Sequence, residues 1–316
     1  MDVQKNNNKV VGICLFIVII ILTFVYSYFV FSLYGDEIWC YGFSYNIYNG
    51  MIPYRDFSLV PTPLYFFIGS IFIKVFGEYL FSIHILNAIL IGMIMIMLFK
   101  MIEWKSLLLY PLFLLFLVPT YNFLTLFFVF LVIYLISNKK DNDLILGFIV
   151  GLVFLTKQSI GIVMLIPLLF YSKKILKSIC AFFIPVFILI IYLVWNDALF
   201  EFIDYCFLGM FDFNNNKVIS IFTFFEIIQL VYLVVVLYKT KFRDKELFYI
   251  LVYQIMSYPI FDLYHWLLSF IPFFYYIFKN FRYKEFRVSG QGWKKFIFIS
   301  FILLLTFCCV FSCFFV

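Results

Sequence analysis

Residues 144–172 read LILGFIVGLVFLTKQSIGIVMLIPLLFYS, 29 residues with one charge, Lys157, near the middle. As a single helix the stretch would be about 43 Å long at 1.5 Å per residue. The hydrocarbon core of a bilayer is only about 30 Å thick. One crossing would also leave Lys157 near mid-membrane and put Lys173, Lys174 and Lys177 on the side opposite Lys139 and Lys140. A helical hairpin turning at Thr156-Lys157-Gln158-Ser159 removes both conflicts. Its arms are short, so its tip is expected to end inside a protein-lined cavity.

The same reasoning extends outward. Basic residues gather at Lys5 and Lys9, at 100–105, 139–140, 173–177, 239–245 and 279–295. Placing all six groups in the cytoplasm accounts for 19 of the 23 Lys and Arg and leaves Arg55, Lys74, Lys157 and Lys217 outside. That is the bias of the positive-inside rule. Segments 106–138 and 246–278 must then also cross an even number of times, with tips at Pro119-Thr120-Tyr121-Asn122 and at Pro259 through His265. Ten of the 17 Asp and Glu fall on the outer side in this scheme, Glu226 among them. The predicted spans are 10–31, 79–99, 106–118, 121–137, 144–156, 159–171, 175–195, 218–238, 246–259, 263–278 and 296–316.

Composition agrees. Of 316 residues, 66% are apolar and only 13% charged, and the mean hydropathy is +1.08. Soluble domains are about half apolar and a quarter charged, and no globular packing hides so large an apolar excess. A soluble enzyme, a disordered chain and a secreted disulfide scaffold are excluded. The expected fold is all-α: one polytopic membrane domain over 1–316, with about eleven transmembrane helices and no separate soluble domain. The seven cysteines lack CxxC spacing and read as small packed hydrophobes, with Cys40 and Cys206 the pair that could meet. The wealth of Phe, Tyr, Ile, Asn and Lys fits an AT-rich bacterial genome, and so the bacterial cytoplasmic membrane.

Residues 32–78 form the longest outer loop. Asp36-Glu37 stands at the end of the first span. Paired carboxylates at a membrane rim can hold a divalent ion, or one can serve as general base, or they are an ordinary acidic flank. Residues 38–48 are aromatic and amphipathic and suit a surface helix, ended by Asn49-Gly50. Ile52-Pro53-Tyr54-Arg55-Asp56-Phe57 follows, and Pro61-Thr62-Pro63 opens a second apolar run, 64–76, too short to span comfortably. Arg55 could clamp a phosphate or form a salt bridge with Asp56 or Glu37. His84, inside the next span, reads as structural.

The order Asp-Glu, aromatic helix, Asn-Gly, IPYRDF, PTPLYF and Phe-Gly resembles the first outer loop of the GT-C-fold membrane glycosyltransferases, which use polyprenyl-phosphate sugars. Protein O-mannosyltransferases and lipid A aminoarabinose transferases belong to that superfamily. The resemblance is close over about 34–100 and weaker but ordered through about 275. It implies that Asp36 activates the acceptor, or holds a metal that organises the site, with Glu37 as partner. It implies too that Lys157, in Leu155-Thr156-Lys157-Gln158, meets the lipid-linked phosphate, with Arg55 nearby. Asp56, Asp262 and His265 are rim candidates; Asp262 and His265 are three apart and share a helix face. The sequence departs from the family in having Pro-Thr-Pro-Leu where the family has Pro-Pro-Leu, and in ending at Val316 without a C-terminal outer domain.

The implied activity is inverting transfer of a sugar from a polyprenyl-phosphate donor to an envelope glycan, lipid or protein at the extracytoplasmic face. The alternatives are a lipid-linked oligosaccharide flippase or transporter, and an envelope glycan polymerase or ligase. No P-loop, HExxH, GxSxG or GxGxxG occurs in a suitable context. The basic clusters are thin rims, so no nucleic-acid partner is expected.

Overall fold

In the computed structural model the stretch 144–172 is two helices that reverse at Lys157. The model describes residues 2–29, 35–115, 120–209, 221–257 and 262–280. Lys157 alone separates the helices, with extended backbone at φ −148° and ψ 104°. A β-carbon on Gly161 would lie 2.3 Å from the Cα of Phe154, an approach that a continuous helix could not bring about between residues seven apart. The side chain removed at Gly161 is what lets the arms close.

The described elements, in order, are α1 (Asp2–Phe29), α2 (Gly35–Tyr48), α3 (Leu64–Phe76), α4 (Phe81–Ile102), a 3-10 turn (Glu103–Leu108), α5 (Tyr110–Leu115) and α6 (Tyr121–Ser137). The hairpin supplies α7 (Asp143–Thr156) and α8 (Gln158–Tyr171). Then come α9 (Ile175–Trp195), α10 (Leu199–Ile203), a π turn (Asp204–Leu208), α11 (Ile221–Lys239), α12 (Lys245–Tyr253), a 3-10 turn (Gln254–Ser257) and α13 (Leu263–Asn280). Residues Met1–Tyr275 group as one compact unit and Tyr276–Val316 as a second, of which 276–280 are described. Among the described residues there is no strand, only an isolated bridge between Pro53 and Phe57. The expected tip residues Pro119 and 259–261 and the expected span 296–316 lie outside the described residues.

The described residues are thus all-helical in class, and among them three helical segments are long and apolar enough to cross a membrane: Phe81–Leu108, Ile175–Trp195 and Ile221–Lys239. The outward residues of α9 and α11 suit lipid. Ile188 and Ile191 are 64% and 65% exposed, and Ile227 and Val231 are 52% and 57% exposed. Runs of this kind do not face water in soluble proteins.

Helix α4 is the central element, packed by α1, α3 and α6. The tightest helix pair is α7 on α9. Gly147 and Gly151 lie one turn apart, and a β-carbon on them would meet the carbonyl oxygens of Ser178 and Phe182 at 2.3 and 2.5 Å. Small residues four apart let helix backbones approach this closely in membranes. The matching order of the two contacts shows that α7 and α9 run parallel.

The connections sort to two ends of the bundle, separated by the length of α7, about 21 Å for 14 residues at 1.5 Å each. At one end Lys245 pairs with Asp141 at 2.7 Å. There Asp143 accepts from the Lys174 amide at 2.8 Å, and Tyr171 donates to the Phe242 carbonyl at 2.7 Å. The tips of the hairpins gather at the other.

Candidate functional site

Local chemistry places each element at the tip end. Asp36 and Glu37 occupy the first turn of α2, where carboxylates favour the helix dipole. The inner face of α2 carries Glu37, Cys40 and Ser44, all buried. After Tyr48 the chain turns at Gly50 (φ +84°). IPYRDF then forms a tight loop whose Tyr54 is buried, while Arg55 and Asp56 point outward. The Tyr54 amide donates to the Phe57 carbonyl at 2.9 Å, its hydroxyl donates to the Pro61 carbonyl at 2.9 Å, and the Cys206 thiol approaches that hydroxyl at 3.4 Å. Cys40 and Cys206 are both free.

Two hydrogen bonds seat this loop on the hairpin tip. Thr62 donates to the Phe154 carbonyl at 2.7 Å. Gln158 donates to the carbonyls of Val60 at 3.0 Å and Cys206 at 2.9 Å.

Lys157 stands where the three expected tips meet. Its Nζ lies 3.2 Å from Asn122 Oδ1 of the first tip and 3.2 Å from the Met256 sulfur in the 3-10 turn that precedes the third. The Tyr121 ring is 5.8 Å away. The first and third tips are joined directly, because Thr120 and Tyr264 share a hydrogen bond of 2.6 Å. Among the described residues Lys157 has no carboxylate in ion-pair contact. Burial in the turn pushes its ammonium down to about 8, against the opposing charges of Asp262 and Asp36. The charges of Asp36 and Asp262 therefore reach Lys157 without an ion-pair contact.

Asp262 is the N-terminal cap of α13. It accepts from the His265 amide at 2.7 Å and from the His265 ring at 2.8 Å. Burial pushes the Asp262 carboxyl up, but the His265 bonds and the Lys157 charge outweigh it and hold the carboxyl below its usual range. Glu37, 1% exposed, is ion-paired with His84 of α4. His84 is thus tied to one of the paired carboxylates.

Asp36, Lys157, Asp262 and His265 come together; Arg55 and Asp56 lie elsewhere on the rim. Arg55 is engaged by Asp56 through two contacts, at 2.9 and 3.1 Å, and its next charged neighbour is Asp197. Of the salt bridges open to Arg55, the fold takes Asp56 and leaves Glu37 to His84. Asp36 and Glu37 differ in setting: Asp36 is exposed, with its charge felt at Lys157, and Glu37 is buried against His84. No group of three His, Cys, Asp or Glu side chains forms a metal cradle among the described residues. A divalent ion here would rest on Asp36 and Glu37, and Glu37 would have to leave His84 to reach it.

Sequence reasoning gave no role to Asn122 and Met256, which touch the ammonium, or to Thr120 and Tyr264, which join the first and third tips. The signal for Asn122, Thr120 and Tyr264 was their place in the expected tips. Sequence reasoning also placed Glu226 with the outer acidic set; the structure buries that side chain, 1% exposed, on the inward face of α11.

No protein-family model matches the sequence, and no curated protein or solved structure is found that matches it.

Proposed function

We propose that this chain is a GT-C-type membrane glycosyltransferase that moves a sugar from a polyprenyl-phosphate donor to a cell-envelope acceptor. The observation that carries the reading is the Lys157 ammonium, held where three helical tips meet, flanked by Asp36 and Asp262 and unpaired with either. A monoanionic phosphodiester fits beside one cation, and a carboxylate on the far side fits the role of base.

In this account the donor's phosphate lies at Lys157 and its tails leave between apolar helices. Asp36 takes the proton of the acceptor hydroxyl. The acceptor oxygen bonds to the anomeric carbon as the bond from that carbon to the phosphate oxygen breaks. The electron pair leaves on the polyprenyl phosphate, whose developing charge Lys157 stabilises. Attack from the opposite face inverts the anomeric carbon. Asn122, Met256 and the Thr120–Tyr264 bond keep the ammonium in place. His84 holds Glu37, so that Asp36 on the same helical turn faces the acceptor. A divalent ion, if bound at Asp36 and Glu37, would supply charge for acceptor activation; no step above requires it.

The proposed topology has about eleven spans. The N-terminus and the end carrying Asp141, Lys174 and Lys245 are cytoplasmic, and the tips are extracytoplasmic in a bacterial cytoplasmic membrane. The positive-inside bias and the sorting of connections to two ends support it. Arms of 14 residues stop short of a full bilayer, so the site is recessed below the outer surface.

Proteoliposomes given labelled polyprenyl-phosphate, polyprenyl-diphosphate and nucleotide sugars, with envelope extract as acceptor, test the reading. Label should leave the monophosphate donor alone. Transfer from the diphosphate donor would instead point to a polymerase or ligase. Glu226, a carboxyl inside a membrane-length helix, is the observation that favours a flippase, since such groups line transport paths. A flippase would move labelled lipid across the vesicle without cleaving it.

A further inference from the structure

Helix α11 presents Glu226, Gln229, Leu233 and Leu237 to the protein interior, at 1%, 3%, 0% and 1% exposure. The opposite face, with Phe224, Ile227, Ile228 and Val231, is half or more exposed. A span serving only to pack would carry leucine at all four inward positions. Two of them are polar instead, and they meet polar groups. The buried Ser257 and Ser269 hydroxyls lie 3.1 and 3.0 Å from one oxygen of Glu226, and the single proton of Ser269 is shared with the Trp266 carbonyl at 2.7 Å. Gln229 is hydrogen-bonded to Gln254. The other carboxylate oxygen of Glu226 and the side-chain oxygen of Gln229 are buried with no donor among the described residues. No Lys, Arg or His pairs with Glu226 among the described residues.

The chemistry is one-sided. Two serine hydroxyls cannot neutralise a carboxylate, and an unpaired charge in an apolar interior carries a heavy desolvation penalty. Two spare acceptor oxygens one helical turn apart, beside two hydroxyl oxygens, lack a positive partner. All are hard oxygen donors, which suit a small hard cation rather than a transition metal. Ionisable groups within membrane spans mark ion or substrate sites by default.

The geometry points to Glu226, Gln229, Ser257 and Ser269 as a binding site for one monovalent alkali cation, buried behind the third tip. The Ser257 hydroxyl also reaches the His265 carbonyl at 3.3 Å, and Met256 beside it touches Lys157. Occupancy therefore steadies the turn that carries the Lys157 contact. The site stands whether the chain is a transferase or a transporter.

The test is thermal unfolding of the full chain in detergent at fixed pH and ionic strength, in sodium, potassium or N-methylglucamine chloride. Sodium or potassium should raise the midpoint of the wild type by about 5 °C over N-methylglucamine. In Glu226→Gln, which keeps the volume and the serine bonds, the three salts should give one midpoint. Equal midpoints for the wild type in all three salts would overturn the proposal and leave Glu226 carrying a proton. So would a cation effect that survives in Glu226→Gln. Should that variant not fold, radiolabelled sodium binding to the wild type decides: about one ion per chain supports the site, and none refutes it.

Discussion

The ammonium of Lys157 lies 3.2 Å from the side-chain oxygen of Asn122, so the turn of one hairpin is held by the start of helix α6. The contact sets an amide oxygen and a thioether, not a carboxylate, against the charge. The ammonium is steered but not neutralised, which is what a site for an anionic ligand needs.

Lys157→Met is therefore expected to separate function from stability. Removing a poorly compensated buried charge should leave the unfolding midpoint unchanged or raised. Sugar transfer should fall about 100-fold or more, the cost of losing one donor to a developing oxyanion. Melting curves and initial rates on the same preparations check both.

Proton linkage gives a second signature. Lys157 is pushed down to about 8 from a usual 10.5. Between those values the unfolded chain binds more protons than the folded one, so this residue makes stability rise with pH. Below about 8 both states hold the proton and its contribution is flat. Transfer depends on the ammonium and should fall as pH rises through about 8. Opposed trends of rate and midpoint in a pH series are the expected result, and Lys157→Met should lack that contribution to both.

The paired carboxylates should part company. Asp36→Asn changes an exposed side chain, so the midpoint should stay within about 2 °C, while transfer drops by about 100-fold or more with the loss of the base. Glu37→Ala leaves buried His84 without its partner and should cost about 1–3 kcal/mol. Chemical unfolding of the two variants distinguishes them.

Gly151→Val tests the helix packing. Even a β-carbon would meet the Phe182 carbonyl at 2.5 Å, and backbone cannot swing aside as a side-chain end can. A loss of about 1–3 kcal/mol is expected, as for other overpacked interiors, and Gly147→Val should behave alike. Arg55→Ala, by contrast, removes an exposed bridge to Asp56 and should leave both midpoint and transfer unchanged, because surface pairs contribute little.

Much of this architecture was legible in the sequence because charge and length constrain a membrane chain so strongly. The turn at Lys157 followed from a mostly apolar stretch of 29 residues bounded by lysines on both sides. Helices α3 (Leu64–Phe76), α6 (Tyr121–Ser137) and α9 (Ile175–Trp195) begin and end where the apolar runs do. The segment 106–118 was harder. Within its described part the chain forms a 3-10 turn and a short helix, because Ser106 bonds back to the Glu103 carbonyl at 2.7 Å. What the sequence hid was pairing across the bundle. Nothing in linear spacing joins Glu37 to His84, Lys157 to Met256, or Glu226 to Ser269. The Gly147–Gly151 spacing was visible, but its partner helix was not. Arg55 looked available to a phosphate because adjacent charges in a chain reveal nothing of their rotamers, and the loop set it on Asp56.

The most direct test is transfer by the purified, reconstituted chain of label from a polyprenyl-phosphate sugar to envelope acceptor, run beside Lys157→Met and Asp36→Asn. The account predicts a labelled product from the wild type and none above background from either variant, with both variants folded. Undiminished transfer by the variants, or label that crosses the vesicle still attached to its lipid, would contradict it.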